Sequence, residues 1–498
     1  MASNGNLEWR VNMGDGTTEI LRPQASFMKN IMMRIKDFIW GGLLLKAWKF
    51  LEKAWGIANS EPKKVVHGLK VGLALTIVSI FYYMRPLYEG VGGNAMWAIM
   101  TVVVTFESTV GATFYKCVNR VIGTSLAGCL GIGVHWIAAE SGDKFEPIIL
   151  GISLFLLASA ATFSRFIPSV KSRFDYGAMI FVLTFCLVSI SGYRVEKLLE
   201  LARTRISTIA IGTSLCIFVS MLFCPIWAGS QLQSLTARNL DKLALSLDGC
   251  VCEYFENDDD TGEMKNEDQK NNNSKVEGYK CVLNSKASEE SMANFARWEP
   301  AHGRFGFRHP WKKYLEVGGV MRKSAYCIEA LHGCLNSEIQ APNSLKLHLA
   351  EPCKALSSSS SQVLKELSIV IKKMKKSTKI DFLVSNMNIA VQELQNAIKS
   401  LPSTQMEVSL SEQDHQEANN EDHHKATTAA TIPPLMELLP LATLVSLLIE
   451  TTSRIEHVVN AVETLANVAD YDSEDEKKKP SSSDNHDHNV AMRVFPEA

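Results

Sequence analysis

The sequence predicts an all-α membrane protein, with six transmembrane helices followed by a cytosolic helical domain. Three observations carry this. Between Val65 and Trp227 lie six mostly apolar stretches, each near the roughly 17–25 residues a helix needs to cross the hydrocarbon core. After Trp227 the apolar residues fall into rows at helical spacing, set among polar ones. Within the first part, the charged residues gather at the edges of the stretches.

The six spans are expected near 65–84, 94–113, 118–139, 147–164, 176–193 and 205–227. Residues 1–60 form a cytosolic N-terminal segment without the continuous apolar core of a signal peptide. Within it, residues 31–57 mix Trp, Leu and Lys at helical spacing. They read either as a helix lying on the membrane surface or as an amphipathic helix packed on the soluble domain. The transmembrane domain takes 61–229 and the cytosolic helical domain 230–470, with a mobile loop at 257–275 and a polar linker at 402–430. Further helices are expected near 276–296, 312–336, 361–377 and 380–400, and 471–498 reads as a disordered tail. The apolar run 432–449 resembles a seventh span, but Glu437, Pro440 and the amphipathic continuation through Ile455, Val458, Val462 and Leu465 favour a buried cytosolic helix.

Composition narrows the function. A net charge of −2 over 498 residues argues against a nucleic-acid binder. Mean hydropathy of +0.01 averages two unlike halves. The 11 cysteines show no pairing framework and no zinc spacing, so reduced thiols are expected. The histidine pairs at 423–424 and 486/488 lack a ligand set, so no metal is expected. No phosphate-binding G-x-x-x-x-G-K-[ST] segment and no nucleophile–base constellation occurs. A primary pump and an enzyme are disfavoured, and no cofactor is expected.

Basic residues in the loops and flanks are in excess on one side, which places both termini in the cytosol. The loop before the sixth span opposes that rule, being basic and outside. A charge at mid-membrane costs about 2.5–3.5 kcal/mol on insertion scales, so such residues usually face a bundle interior or a water path. Lys70 lies in the first span, Lys116 and Arg120 open the third and Arg205 opens the sixth. Lys116, Arg120, Thr124, Ala127 and Gly131 share one helix face, as do Arg205, Thr208, Gly212 and Leu215. Arg203 and Arg205 are roughly 200° apart on a helix, so both cannot face one path. Trp97, Thr101, Thr105 and Ser108 form a hydroxyl stripe that either lines a pore or makes interhelical hydrogen bonds. Glu107 points away from that stripe and is expected to pair with Lys70 or an Arg as a structural carboxylate. Basic edges, with hydroxyls at Thr101, Thr105, Thr124 and Thr208 and few acids, suit an anion path.

The stretches EPKKVVHGLKVGLAL (61–75), GGNAMWAIMTVVVTFE (92–107), GATFYKCVNR (111–120), SRFIPSVKSRFDYGAMIF (164–181) and CPIWAG (224–229), with Trp298-Glu299-Pro300 through Trp311, resemble the aluminium-activated malate transporter family of plants. The likeness covers roughly 60–400 and 430–470 and is strongest to members with a long N-terminal extension. It implies an anion channel for malate and other anions, a homodimer in the lipid bilayer, and an anion path lined at Arg120 and Arg205. The plasma membrane is favoured, with the vacuolar membrane as the alternative. Glu89, Glu196 and Glu200 form an outer acidic rim that reads either as ligands for a hard cation or as a solvated surface. The WEP region interleaves His302, Arg304, Arg308 and His309 with Phe305, Phe307 and Trp311. It reads either as a regulatory anion site or interface, or as a buried loop anchoring helices. A coupled carrier and a membrane-anchored scaffold are the competing functional readings.

Overall fold

The computed structural model describes residues 9–12, 18–21, 45–84, 95–142, 144–192, 198–255, 276–306, 308–335, 341, 343–414 and 435–473. It is all-α apart from two small two-stranded pairings. The chain divides into two units, 1–76 and 77–498.

The first unit holds an antiparallel ribbon, β1 (Trp9–Asn12) with β2 (Thr18–Leu21), in the register Trp9↔Leu21. Helix α1 spans 45–60. Of the predicted 31–57 segment, residues 31–44 lie outside the described residues. Trp48, Phe50, Leu51 and Trp55 on α1 are exposed. Helix α2 (Pro62–Tyr83) begins in this unit with Pro near its start, where a missing N–H costs nothing.

The second unit continues with α3 (Ala95–Thr105), α4 (Val110–Glu140), α5 (Glu146–Ser164), α6 (Pro168–Gly192) and α7 (Leu198–Leu222). Among the described residues, four helices are long and apolar enough to cross a membrane: Val110–Glu140, Glu146–Ser164, Pro168–Ile190 and Arg205–Leu222. Helix α2 carries Lys63, Lys64 and Lys70 and is not among them. On α5 the large side chains Ile148, Ile152, Phe155, Leu156 and Phe163 are exposed while Leu150 is buried. An apolar surface this continuous suits lipid rather than water.

The expected span 94–113 is not one helix. Helix α3 stops at Thr105 after 11 residues, roughly 16 Å of rise. Thr109 then leaves helical geometry (φ −110°, ψ 150°), and its hydroxyl accepts the Ala112 N–H at 3.3 Å, starting α4. The Thr113 hydroxyl accepts the Glu107 N–H at 3.0 Å and holds the intervening turn. Hydrophobicity alone ran across this break because it is only four residues long and Glu107 is its one charge. For the same reason α4 begins eight residues earlier than the predicted 118.

Three crossings fix the bundle. Helix α4 packs on α6 and on α7, and α3 packs on α7. A Cβ on Gly123 would stand 2.6 Å from the Gly177 carbonyl oxygen, so the α4 and α6 backbones touch there. A Cβ on Gly212 would stand 2.9 Å from Cβ of Thr101, which seats α3 on α7. The small residues on these faces therefore serve close packing.

The C-terminal part comprises α8 (Ala228–Phe255), α9 (Gly278–Leu283), α10 (Lys286–Ala296), α11 (Trp311–Leu335), α12 (Asn343–Lys373), α13 (Ile380–Asp414) and α14 (Leu435–Val468). One apolar core runs through α8, α11, α12 and α14, including Leu240, Leu247, Tyr314, Met321, Leu356, Leu364, Leu448 and Ile455. The run 432–449 contributes Leu441, Leu444, Val445 and Leu448 to this core, as its amphipathic continuation predicts. β3 (Lys375–Lys376) pairs in parallel with β4 (Asp472–Ser473) just beyond α14, so the predicted tail begins with paired backbone.

Three sequence boundaries change. The helix expected at 361–377 starts at Asn343, and that expected at 276–296 divides into α9 and α10. The predicted linker 402–430 is helical through Asp414, because α13 carries its pattern past Pro402. The loop 257–275, residues 415–430 of the linker and 474–498 of the tail lie outside the described residues.

Candidate functional site

Helices α3, α4, α6 and α7 together line one narrow cavity, walled by Trp97, Arg120, Thr124, Ile180, Leu183, Thr184, Leu187, Arg205, Thr208 and Ile209. Its volume is about 20 Å³, room for about one water. The lining holds two guanidinium groups and no carboxylate.

Arg120 is buried on α4, one turn beyond Lys116. Its Nη1 donates to the Tyr176 hydroxyl of α6 at 3.3 Å. Arg205 sits two turns into α7 because that helix begins at Leu198 rather than at Arg205. Its guanidinium carbon lies 4.0 Å from the centre of the Trp97 ring, within cation–π range. Among the described residues, no hydrogen-bond partner reaches Arg120 Nε, Arg205 Nε or the Thr124 hydroxyl. Nor does any carboxylate there lie within ion-pair distance of either arginine. Removing one partner from a buried ion pair leaves a charge costing about 3–5 kcal/mol. Two cations with spare donors around a cavity, unpaired with any carboxylate among the described residues, form a site chemically suited to an anion. Planar guanidinium forks match carboxylate geometry.

The other expected residues are distributed differently. Glu107 lies in the turn between α3 and α4 rather than inside a span. It forms an ion pair with Lys116, not with Lys70 or an arginine. The turn brings the carboxylate back over the first turns of α4, which periodicity within one continuous helix could not anticipate. Lys116 is thereby compensated; its ammonium also stands 5.6 Å over the Tyr176 ring. Lys70 is buried on α2 in the first unit.

Thr124 and Thr208 line the cavity, whereas Thr101 and Thr105 are buried in helix packing. The Thr101 hydroxyl donates to the Trp97 carbonyl and that of Thr105 to the Thr101 carbonyl, both at 2.8 Å. Glu89 and Glu196 lie outside the described residues, and Glu200 is described only as part of α7. Tyr176, which binds Arg120, was not singled out by sequence reasoning, and Trp97 entered only as part of the hydroxyl stripe, not as the partner of Arg205. An aromatic stripe on an apolar helix reads as core until its partner is known.

A second constellation joins the C-terminal part to the bundle. Glu299 is almost fully buried, its side chain 1% exposed. Its Oε1 accepts the Ala228 N–H at 2.5 Å and the Gly111 N–H at 3.3 Å, while Oε2 accepts the Gly229 N–H at 3.1 Å. These donors open α8 and α4, whose first-turn N–H groups have no helical acceptor and carry the positive end of the dipole. Burial pushes the Glu299 carboxyl up, opposed by the N–H groups of Ala228 and Gly229, by His302, and by the N–H of Gly111. His302 stacks on Trp227 with centroids 3.7 Å apart, and Tyr115 of α4 packs on Phe295 and Trp298. Val110 N–H donates to the Ile226 carbonyl at 2.9 Å, tying the same two helix starts. In the WEP region Glu299, Phe305 and Trp311 are buried and Glu299 anchors two helix starts, whereas Ala301, Gly303, Arg304, Gly306 and Arg308 are exposed. Arg304 Nη1 donates to the Lys373 carbonyl at the end of α12.

Comparison with known proteins identifies the family. The family model described as aluminium activated malate transporter matches residues 55–434 and 404–466. An Arabidopsis thaliana protein named aluminum-activated malate transporter 10 is 56% identical over 95% of this chain and 96% of its own length. Aluminum-activated malate transporter 2 of the same plant is 44% identical over 86% of this chain and 79% of its own. A wheat (Triticum aestivum) relative, aluminum-activated malate transporter 1, is 37% identical over 88% of this chain and 89% of its own. With its several long apolar helices, this multi-pass membrane chain belongs to the aluminium-activated malate transporter family.

Proposed function

We propose that the protein is a passive anion channel that carries malate, and other organic and inorganic anions, across a plant membrane. Six segments cross the bilayer in this reading: α2, α3 with the turn after it, and α4 to α7. The C-terminal helices and both termini lie in the cytosol, and the working form is a homodimer in the plasma membrane. The observation that carries the reading is the convergence of Arg120 and Arg205 on one cavity without a lining carboxylate. Fixed positive charge in a low-dielectric conduit concentrates anions and repels cations. The printed names of the relatives supply malate as the first substrate to test. At about 20 Å³ the cavity is too tight for a four-carbon dicarboxylate, so conduction requires the lining helices, α4 and α7 among them, to part.

Reversal potentials in asymmetric malate, recorded from the protein in planar bilayers, test the reading. Arg120→Gln and Arg205→Gln should each lower malate current and shift the reversal potential toward weaker anion preference. Arg203→Gln should change that potential less. A reversal potential that follows proton or sodium gradients would instead make the protein a coupled carrier. Absence of any anion current would make it a membrane-anchored scaffold.

A further inference from the structure

Two buried thiols lie where α4 and α7 meet, beside the cavity but not in its lining. Cys117 is 1% exposed and Cys216 0%, and both are free. The Cys117 thiol donates to the Thr213 carbonyl of α7 at 3.8 Å. Thr213 is one turn before Cys216, and helical side chains lean toward the N-terminus, so the Cys216 sulfur lies over that same turn. The Thr105 hydroxyl contacts Cys216 Sγ at 3.4 Å. The Cys117 thiol of α4 and the Cys216 side chain of α7 thus meet at one turn of α7. Arg120 is three residues beyond Cys117 on α4, and Arg205 belongs to α7 with Cys216.

We propose that Cys117 and Cys216 are an oxidisable pair whose disulfide ties α4 to α7 and holds the anion path closed. The oxidant is a peroxide. One thiol gives up its proton, its thiolate attacks hydrogen peroxide as the O–O bond breaks, and a sulfenic acid forms with hydroxide, which takes that proton to become water. The second thiol then displaces a second water as the S–S bond forms. Two protons and two electrons leave the sulfurs, and the peroxide O–O bond is reduced. Hydrogen peroxide is small and uncharged, which suits entry into a site closed to ions. A tether across α4 and α7 opposes the parting that passage of a dicarboxylate needs, so the inference about closure rests on the channel reading above. The chemistry of the pair does not.

The test uses the full chain in proteoliposomes, with hydrogen peroxide followed by dithiothreitol. Expected are a Cys117–Cys216 linked peptide by mass spectrometry under non-reducing conditions and a several-fold fall in malate efflux. Dithiothreitol should reverse both, and Cys117→Ser and Cys216→Ser should lose both responses. Two singly substituted variants guard against one that fails to assemble. Separate, freely alkylated Cys117 and Cys216 peptides after peroxide would overturn the pairing. A linked peptide with unchanged efflux would overturn the closure. Untreated protein that passes no anion would count against the channel reading, while the linked peptide would still decide the pairing.

Discussion

Arg205 shows how one residue's setting changes its chemistry. Its charge rests on the Trp97 ring at 4.0 Å rather than on a carboxylate. A ring face steadies a desolvated guanidinium by about 0.5–2 kcal/mol without neutralising it, so in the proposed channel the cation stays available to an anion. Tyr176 plays the matching part for Arg120 through one hydroxyl at 3.3 Å. Trp97→Leu should therefore lower malate conductance yet leave the reversal potential close to that of the parent, because the charge remains and only its placement loosens. Tyr176→Phe should act in the same direction and at least as strongly, since one hydrogen bond to a charged group contributes about 1.5–3 kcal/mol although the ring packing is kept. Single-channel conductance and reversal potential, measured on the same patches, separate placement from charge. A loss of anion preference in Trp97→Leu as large as in Arg205→Gln would assign the ring a direct role in selectivity.

Among the elements, the starts of α4 and α8 depend on one side chain from a distant loop. Glu299 satisfies three first-turn N–H groups that water cannot reach. Glu299→Ala leaves them without acceptors, at roughly 1–3 kcal/mol for each buried group. It should lower the Tm of the detergent-solubilised protein by several degrees. Glu299→Gln keeps one acceptor oxygen and should lie between parent and alanine variant. A Tm equal to the parent's in Glu299→Ala would mean that other groups take over the cap.

The aromatic layer next to it carries a pH dependence. Burial pushes His309 down from 6.5 to about 4, among Phe305, Trp311 and Tyr314. Because the folded-state value lies below the unfolded one, the unfolded chain takes up the extra proton first. The stability that neutral His309 confers is complete above about pH 6.5 and is lost as pH falls toward 4. His309→Gln should thus shrink the drop in Tm between pH 7 and pH 4.5. An unchanged drop would place the acid sensitivity in other groups.

For the molecule as a whole, the arrangement of segments in the bilayer makes a sharp expectation. In the proposed orientation, with both termini in the cytosol, the segment joining α4 to α5 would face outside and the turn after α5 at 165–167 would face inside. An N-glycosylation acceptor inserted at the first position should gain a glycan in microsomes, and one at the second should not. The reverse pattern would invert the bundle. Glycosylation at both sites would mean that α5, with Leu150 as its buried contact, does not cross. The break between α3 and α4 matters at this scale as well. It brings Glu107 onto Lys116 and so removes one positive charge from the list that the bundle can offer an anion.

Much of this was legible in the chain itself. Long apolar runs give α4 to α7, because a backbone in lipid must satisfy its hydrogen bonds within a helix. Helical spacing placed Arg120 with Thr124 and Arg205 with Thr208, since side chains three or four apart share a face whatever the helix packs against. The same spacing kept 432–449 in the C-terminal core. Pairings between distant segments were not legible. Glu107 meeting Lys116 depends on a turn made by the hydroxyls of Thr109 and Thr113, groups that hydropathy treats as neutral. Trp97 under Arg205, Tyr176 on Arg120 and Glu299 across two helix starts each join residues from different elements, where periodicity has no information. The sequence by itself determined most of the helices, though not all of their ends and breaks, and the faces they present, because both follow largely from local geometry. Only the tertiary structure decided which faces meet, and hence which two of the four expected basic residues stand together at one cavity, because burial and partner choice are set by packing between elements.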